Sequence, residues 1–221
     1  LQQYDAYTDA CRKANRQLYQ QFFGENGQTG IGCVIMASGL GTRFGENKLL
    51  YKIHDKPLLQ YILDTTAKLP FAERIVVTRH QEIVELCESQ NIKAVFHQEP
   101  YQSDTVRIAL EKLPEFKGYL FCTGDQPFLK ATSLEKLCAS FLEAPNFIHR
   151  TIFENTPGNP VIFPAKFKGE LLNLPQDCGG AYLAKKYPEQ VRYIPVQDSL
   201  ELYDIDTKED LEKLFLRQNN I

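Results

Sequence analysis

The chain has 221 residues, a formal net charge of −3, 43% apolar and 24% charged residues. That length suits one sizeable α/β domain, and the composition is far from the low-hydrophobicity signature of disorder. The balanced charge argues against a nucleic-acid partner, no apolar run is long enough to cross a bilayer, and the opening LQQYDAYTDACRKANRQ has no apolar leader core, so a cytoplasmic location with neither membrane nor nucleic-acid partner is expected.

In chain order, Tyr4, Tyr7, Cys11, Leu18 and Phe22 recur at loosely helical spacing and end at the breaker Gly24-Glu25-Asn26-Gly27. A helical extension and linker over 1–30 is expected, with the main domain over 31–221. From Gly32 the chain alternates short β-rich apolar runs with amphipathic stretches, the pattern of βαβ units. Strands are expected at Cys33–Ala37, Arg74–Thr78, Lys93–Phe96 and Tyr119–Thr123. Helices are expected at Pro57–Lys68, Gln81–Ser89 and Ser103–Leu113, with Pro57 in a first turn, where its missing N–H is harmless. After Asp125 comes a helix at Ser133–Leu142. Two strand-like runs follow, Asn146–Phe153 and Asn159–Phe163, divided by the turn Asn155-Thr156-Pro157-Gly158.

The fold class is therefore α/β, a Rossmann-like three-layer architecture with a mostly parallel sheet, a small antiparallel insertion over one edge and an N-terminal helical prefix. Parallel sheets bind ligands at the carboxyl ends of their strands, so the loops after Ala37, Thr78 and Thr123 should line one site. The six cysteines form no C-x-x-C pair, which argues against a zinc knuckle, and are read as packing residues. His54, His80, His97 and His149 are scattered and read as surface or packing residues.

The segment from Ala37 to Lys48, ASGLGTRFGENK, directly follows the first strand. Its glycines permit positive φ and close backbone approach, so Ala37, Ser38, Gly39, Leu40, Gly41 and Thr42 can aim N–H groups at an anion. Gly39, Gly41 and Gly45 spell G-x-G-x-x-x-G, one residue longer than the dinucleotide fingerprint, and no G-x-x-x-x-G-K-[ST] occurs. Arg43 and Lys48 are spaced to reach one triphosphate, where they would stabilise charge on departing pyrophosphate.

ASGLGTRFGENKLL resembles the signature of the molybdenum cofactor cytidylyltransferase family, which has the nucleotide-diphospho-sugar transferase type of fold. Gly124-Asp125-Gln126-Pro127 resembles its metal-binding turn. The segments Gly158–Phe163, Asp177–Ala181 and Asp204–Thr207 are similar to further family motifs, with Gln176 in place of a glycine before Asp177. The resemblance implies CMP transfer from CTP onto a molybdopterin-type phosphate with release of pyrophosphate, Mg²⁺ as cofactor, and a molybdoenzyme as recipient of the product. Arg43, Lys48 and Asp125 are the implied catalytic residues, Asp125 and Asp177 the implied metal ligands. Thr78, Ser103, Asp104 and Thr105 join the loop in nucleotide binding, with Gln102 and Asp104 departing from a glycine-rich base-contacting turn and Ser103 free to cap the helix after it. Ser38 stands where guanylyl-transferring relatives carry glycine, which leans toward cytidine. Asp206 or Thr207 is expected to cap a C-terminal helix. The chemistry needs no histidine, because the acceptor phosphate is already a nucleophile. A sugar or alditol phosphate as acceptor, and a non-catalytic accessory role in molybdenum hydroxylase maturation, remain open.

Overall fold

The structure, a computed structural model, describes residues 30–211 apart from 40, 42, 43 and 54. The elements are β1 (Ile31–Ala37), β2 (Lys52–Ile53), β3 (Lys56–Pro57), α1 (Leu58–Ala67), β4 (Glu73–Thr78), α2 (Gln81–Glu88), β5 (Lys93–Phe96), α3 (Gln102–Lys112) and β6 (Gly118–Thr123). They continue with α4 (Ala131–Glu143), β7 (Ile148–Phe153), β8 (Thr156–Pro164), α5 (Lys168–Leu172), α6 (Ala181–Lys186) and β9 (Val191–Pro195). Seven strands form one sheet in the order β5-β4-β1-β6-β8-β7-β9, and β2 with β3 forms a separate small hairpin.

β1 lies in the interior of the sheet, between β4 and β6, and is apolar on both faces, as a strand covered by helices on each side must be. Its alternate residues Ile31, Cys33, Ile35 and Ala37 join Leu58, Leu59 and Ile62 of α1, Ile83 of α2 and Leu134, Leu137 and Phe141 of α4 in one apolar layer. Val34 faces the other way, with Val106, Ala109 and Leu110 of α3, Leu171 of α5 and Leu183 of α6. The three-layer, mostly parallel expectation holds: β1 pairs parallel with β4 and β6, and β4 with β5.

The antiparallel part sits differently from its expected place over an edge. β8 is inserted into the sheet, antiparallel to both β6 and β7, and β9, which no alternation marked, closes the edge parallel to β7. The chain reverses at Glu154-Asn155, with Glu154 at φ +50°, and β8 already begins at Thr156. Thr156-Pro157-Gly158 reads as a turn in sequence, but these residues lie in the less buried first half of β8, where a strand tolerates proline. Ser103 does not cap α3. The cap position is Tyr101, and Asp104 reaches back to accept from the Tyr101 N–H at 3.2 Å, as a third-position acid can. The helical prefix over 1–30 falls almost wholly outside the described residues. Among the described residues no helix is long and apolar enough to cross a membrane.

Candidate active site

The loop leaving β1 is stitched to the loops leaving β4 and β5. The Thr78 hydroxyl donates to Ala37 O at 2.9 Å and accepts from the His80 N–H at 3.1 Å. Thr78 is fully buried, and its hydroxyl is engaged with the backbone. Ser38 Oγ donates to Val77 O at 3.2 Å and lies 2.8 Å from His97 Nε2. A hydroxyl has a single proton, so here it accepts from an Nε2–H, and the tautomer follows from that network. Thr105, also buried, lies 3.5 Å from the same nitrogen. His97 Nδ1 is then a buried acceptor with no partner among the described residues. Burial, then the charge of Arg79, push the His97 pKa below its ordinary value, which keeps the ring neutral. Arg79 completes the seam, donating from Nε to Ser38 O at 2.9 Å and from Nη1 to Pro100 O at 3.1 Å. Asp104, expected near the base, is engaged by Arg107 at 3.2 Å and by its cap contact.

Within the glycine loop, Gly41 and Gly45 take φ of +58° and +81°, and a Cβ on Gly41 would lie 2.9 Å from Glu46 O. Both positions therefore need glycine, while Gly39 is not among the positive-φ glycines and no described atom lies within 4 Å of a Cβ built on it. Leu40, Thr42 and Arg43 lie outside the described residues.

Lys48 departs from the expectation of a loop cation free to meet phosphate. It opens a short 3₁₀ turn, Lys48–Leu50, capped by Asn47, and its side chain is only 9% exposed. An ammonium has three donors, and all three are used: Asp125 Oδ2 at 2.8 Å, Ile205 O at 2.8 Å and Asp206 Oδ1 at 2.9 Å. Burial works against its charge, but Asp125 and Asp206 outweigh burial and hold the pKa above the ordinary lysine value.

Asp125 follows β6, and its backbone carbonyl accepts from the Ile205 N–H at 3.0 Å, which docks Asp204-Ile205-Asp206 onto the Gly124-Asp125-Gln126 turn. With Oδ2 taken by Lys48, Oδ1 is buried and has no partner among the described residues. A hard carboxylate oxygen in that state fits a hard divalent cation. Among the described residues no group of three or more His, Cys, Asp or Glu side chains forms a metal cage. The Asp204 pKa is raised to about 6 by burial of its carboxyl, then by the charge of Asp125.

The capping expectation splits in two. Thr207 Oγ1 accepts from the Asp210 N–H at 3.1 Å, while Asp206 turns to Lys48. The Asp204-x-Asp206 spacing was the signal for this second acidic arm. Asp177 is exposed on a turn at φ +59°. The turn forms despite Gln176, because Asp177 itself takes the left-handed conformation that aspartate tolerates better than most residues. His97 and Arg79, which no motif or spacing marks in the sequence, meet the glycine loop only through the fold.

Residues 33–191 match the MobA-like NTP transferase domain, a span that begins in β1 and takes in the glycine loop and Asp125. The chain belongs to that family. This NTP transferase chain is 36% identical over 119 residues to the bifunctional protein GlmU of Thermodesulfovibrio yellowstonii, a match covering 51% of the chain and 25% of GlmU. It is 30% identical over 128 residues to the 3-deoxy-manno-octulosonate cytidylyltransferase of Francisella philomiragia, covering 56% of the chain and 51% of that protein. These matches span about a quarter and about half of the two relatives. Among solved structures it is similar to the Rv0371c homolog of Mycobacterium sp. strain JC1, with a TM-score of 0.75 and 27% identity, covering 86% of this chain and 97% of that one. Asp204 and Asp206 fall beyond the matched span.

Proposed function

We propose that the chain is a nucleotidyltransferase that moves CMP from CTP onto a molybdopterin-type phosphate. A phosphate oxygen of the acceptor attacks the α-phosphorus, the bond from that phosphorus to the β-phosphate bridging oxygen breaks, and pyrophosphate leaves with the electron pair. The observation that carries this reading is Asp125 at the carboxyl end of β6, its Oδ2 fixed by Lys48 and its Oδ1 buried without a partner. Asp125 would hold Mg²⁺ there, with Asp204 and Asp206 beside it, and the ion, when bound, supplies positive charge to the phosphates and orients the α-phosphate for in-line attack. The glycine loop supplies backbone donors to the phosphates, and Arg43 is the cation left for the departing pyrophosphate. The recipient of the product would be a molybdoenzyme.

The preference for cytidine is supported by the likeness to a cytidylyltransferase and by Ser38. The Ser38 hydroxyl is turned into the sheet, toward Val77 O and His97, so it would act on base choice through loop shape and not by a direct bond. A sugar or alditol phosphate as acceptor is the second reading, and its sugar part is favoured by the same relative, whose name gives a sugar acid.

Pyrophosphate release measured with each NTP and Mg²⁺, in the presence of molybdopterin or of a panel of sugar and alditol phosphates, tests both. CTP with molybdopterin should give the fastest release. Release only with sugar phosphates would select the second reading, and none with any NTP would leave an accessory role.

A further inference from the structure

Arg150 of β7 is half-buried beside β8 and spends only its Nε, which donates to Gly158 O at 2.9 Å. Among the described residues no carboxylate pairs with it and no acceptor meets its two terminal nitrogens. It lines a cleft of about 110 Å³ together with Thr123, Asn159, Gln102 and Met36, and neither aspartate nor glutamate contributes to that lining. Thr123 Oγ1 is buried with no partner, and Thr123 is two residues from Asp125. The cleft therefore has one guanidinium, several neutral polar groups and no negative charge of its own. A guanidinium removed from water without an acid is unfavourable unless an anion meets it, and its planar fork suits phosphate. The cleft opens between the carboxyl end of β6 and β8, on the opposite flank of β1 from the Ser38–His97 seam at β4 and β5.

We propose that this cleft is the acceptor subsite and that Arg150 binds the acceptor through a phosphate group, with the Thr123 hydroxyl as a second donor. The proposal rests on the nucleotidyltransferase reading above, in which the acceptor is a phosphate ester, and adds the residues that meet its phosphate, Arg150 and Thr123. Oxygen attack on the α-phosphorus then comes from an anion that Arg150 orients, and no base has to remove a proton.

The test uses the full chain loaded with Mg²⁺ and α,β-methylene CTP, which cannot release pyrophosphate, and titrates inorganic phosphate as the minimal acceptor group. Wild type should bind phosphate saturably, and Arg150→Gln should weaken it about tenfold or more. Arg150→Lys, which keeps the charge but loses the planar fork, should weaken phosphate less than Arg150→Gln does. The affinity for the CTP analogue should stay the same in both variants. Thr123→Val should weaken phosphate severalfold and serves in place of Arg150→Gln if that protein does not fold. Wild-type phosphate affinity in Arg150→Gln or in Thr123→Val overturns the proposal. So does a loss in Arg150→Lys equal to that in Arg150→Gln, since Arg150 would then be only a bolt to Gly158. No phosphate binding by a wild type that binds the analogue removes the acceptor subsite alone, whereas no analogue binding removes the nucleotidyltransferase reading and the subsite with it.

Discussion

At the carboxyl ends of β1, β4 and β5, polar side chains are tied to backbone. Thr78 holds Ala37 O, Ser38 holds Val77 O, and Arg79 reaches the carbonyls of Ser38 and Pro100. At the end of β6, Thr123 Oγ1, Asp125 Oδ1 and Gln126 Oε1 are buried with no partner among the described residues. Leaving a buried polar group unmet costs about 1–3 kcal/mol. Three such groups stand at one strand end, against the unmet His97 Nδ1 on the other flank among the described residues, and a ligand at the β6 end would meet them. In the reading proposed above, the bonded flank would hold the nucleotide and the other the cation and the acceptor.

Breaking the open flank should have the largest effect. Asp125→Asn retains an oxygen for the Lys48 ammonium but loses the charge that holds a hard cation. Mg²⁺-dependent pyrophosphate release should fall about a thousandfold, with a small change in melting temperature. An active variant with normal Mg²⁺ dependence would sink the site. Lys48→Met comes next, and the loss there is mainly of stability. Removing the ammonium leaves Asp125 and Asp206 facing each other beside Asp204, and breaking a buried pair from one side costs about 3 kcal/mol. Mg²⁺ should restore part of the lost melting temperature, because a cation can take up the same carboxylates. Equal losses with and without Mg²⁺ would show that Lys48 and the ion do not share them.

The difference between the flanks also explains what could be read in advance. Parallel β1, β4, β5 and β6 are short apolar runs divided by amphipathic helices, and each is found within two residues of its expected bounds. β8 and β9 were obscured because Thr156-Pro157-Gly158 reads as a turn, and Val191–Pro195 carries Arg192 and Tyr193 on an exposed edge without clean alternation. Asp125 and Lys48 could be singled out by motif, yet no spacing in sequence shows that Lys48 turns inward to Ile205 O, 157 positions away. His97 escaped for a related reason. Nothing adjacent to it in sequence hints at a partner, and its bond to Ser38 reaches across β4, which lies between β5 and β1.

That bond is where the bonded flank can be tested, with the smallest expected effect. His97→Gln keeps an amide N–H for Ser38 but removes the titratable ring, and should lower stability at pH 7.5 by about 1 kcal/mol. The ring's folded-state pKa lies below the ordinary histidine value of 6.5, held down by burial and then by Arg79. In the window below 6.5 the unfolded chain therefore binds the proton more readily than the folded one. The contribution of His97 is complete above the unfolded value and is lost as pH falls through 6.5 toward the folded value. Wild type should lose melting temperature between pH 7.5 and 5.5, and His97→Gln should lose less. The fall should shrink without vanishing, since His149 is buried and depressed in the same direction. In kinetics the variant should raise KM for CTP by a few fold and leave KM for the acceptor alone, because Ser38 belongs to the nucleotide loop and Arg150 does not. An unchanged pH profile of melting would mean that His97 is not held neutral by the fold, and a shift in the acceptor KM would mean that the two flanks are coupled through β1.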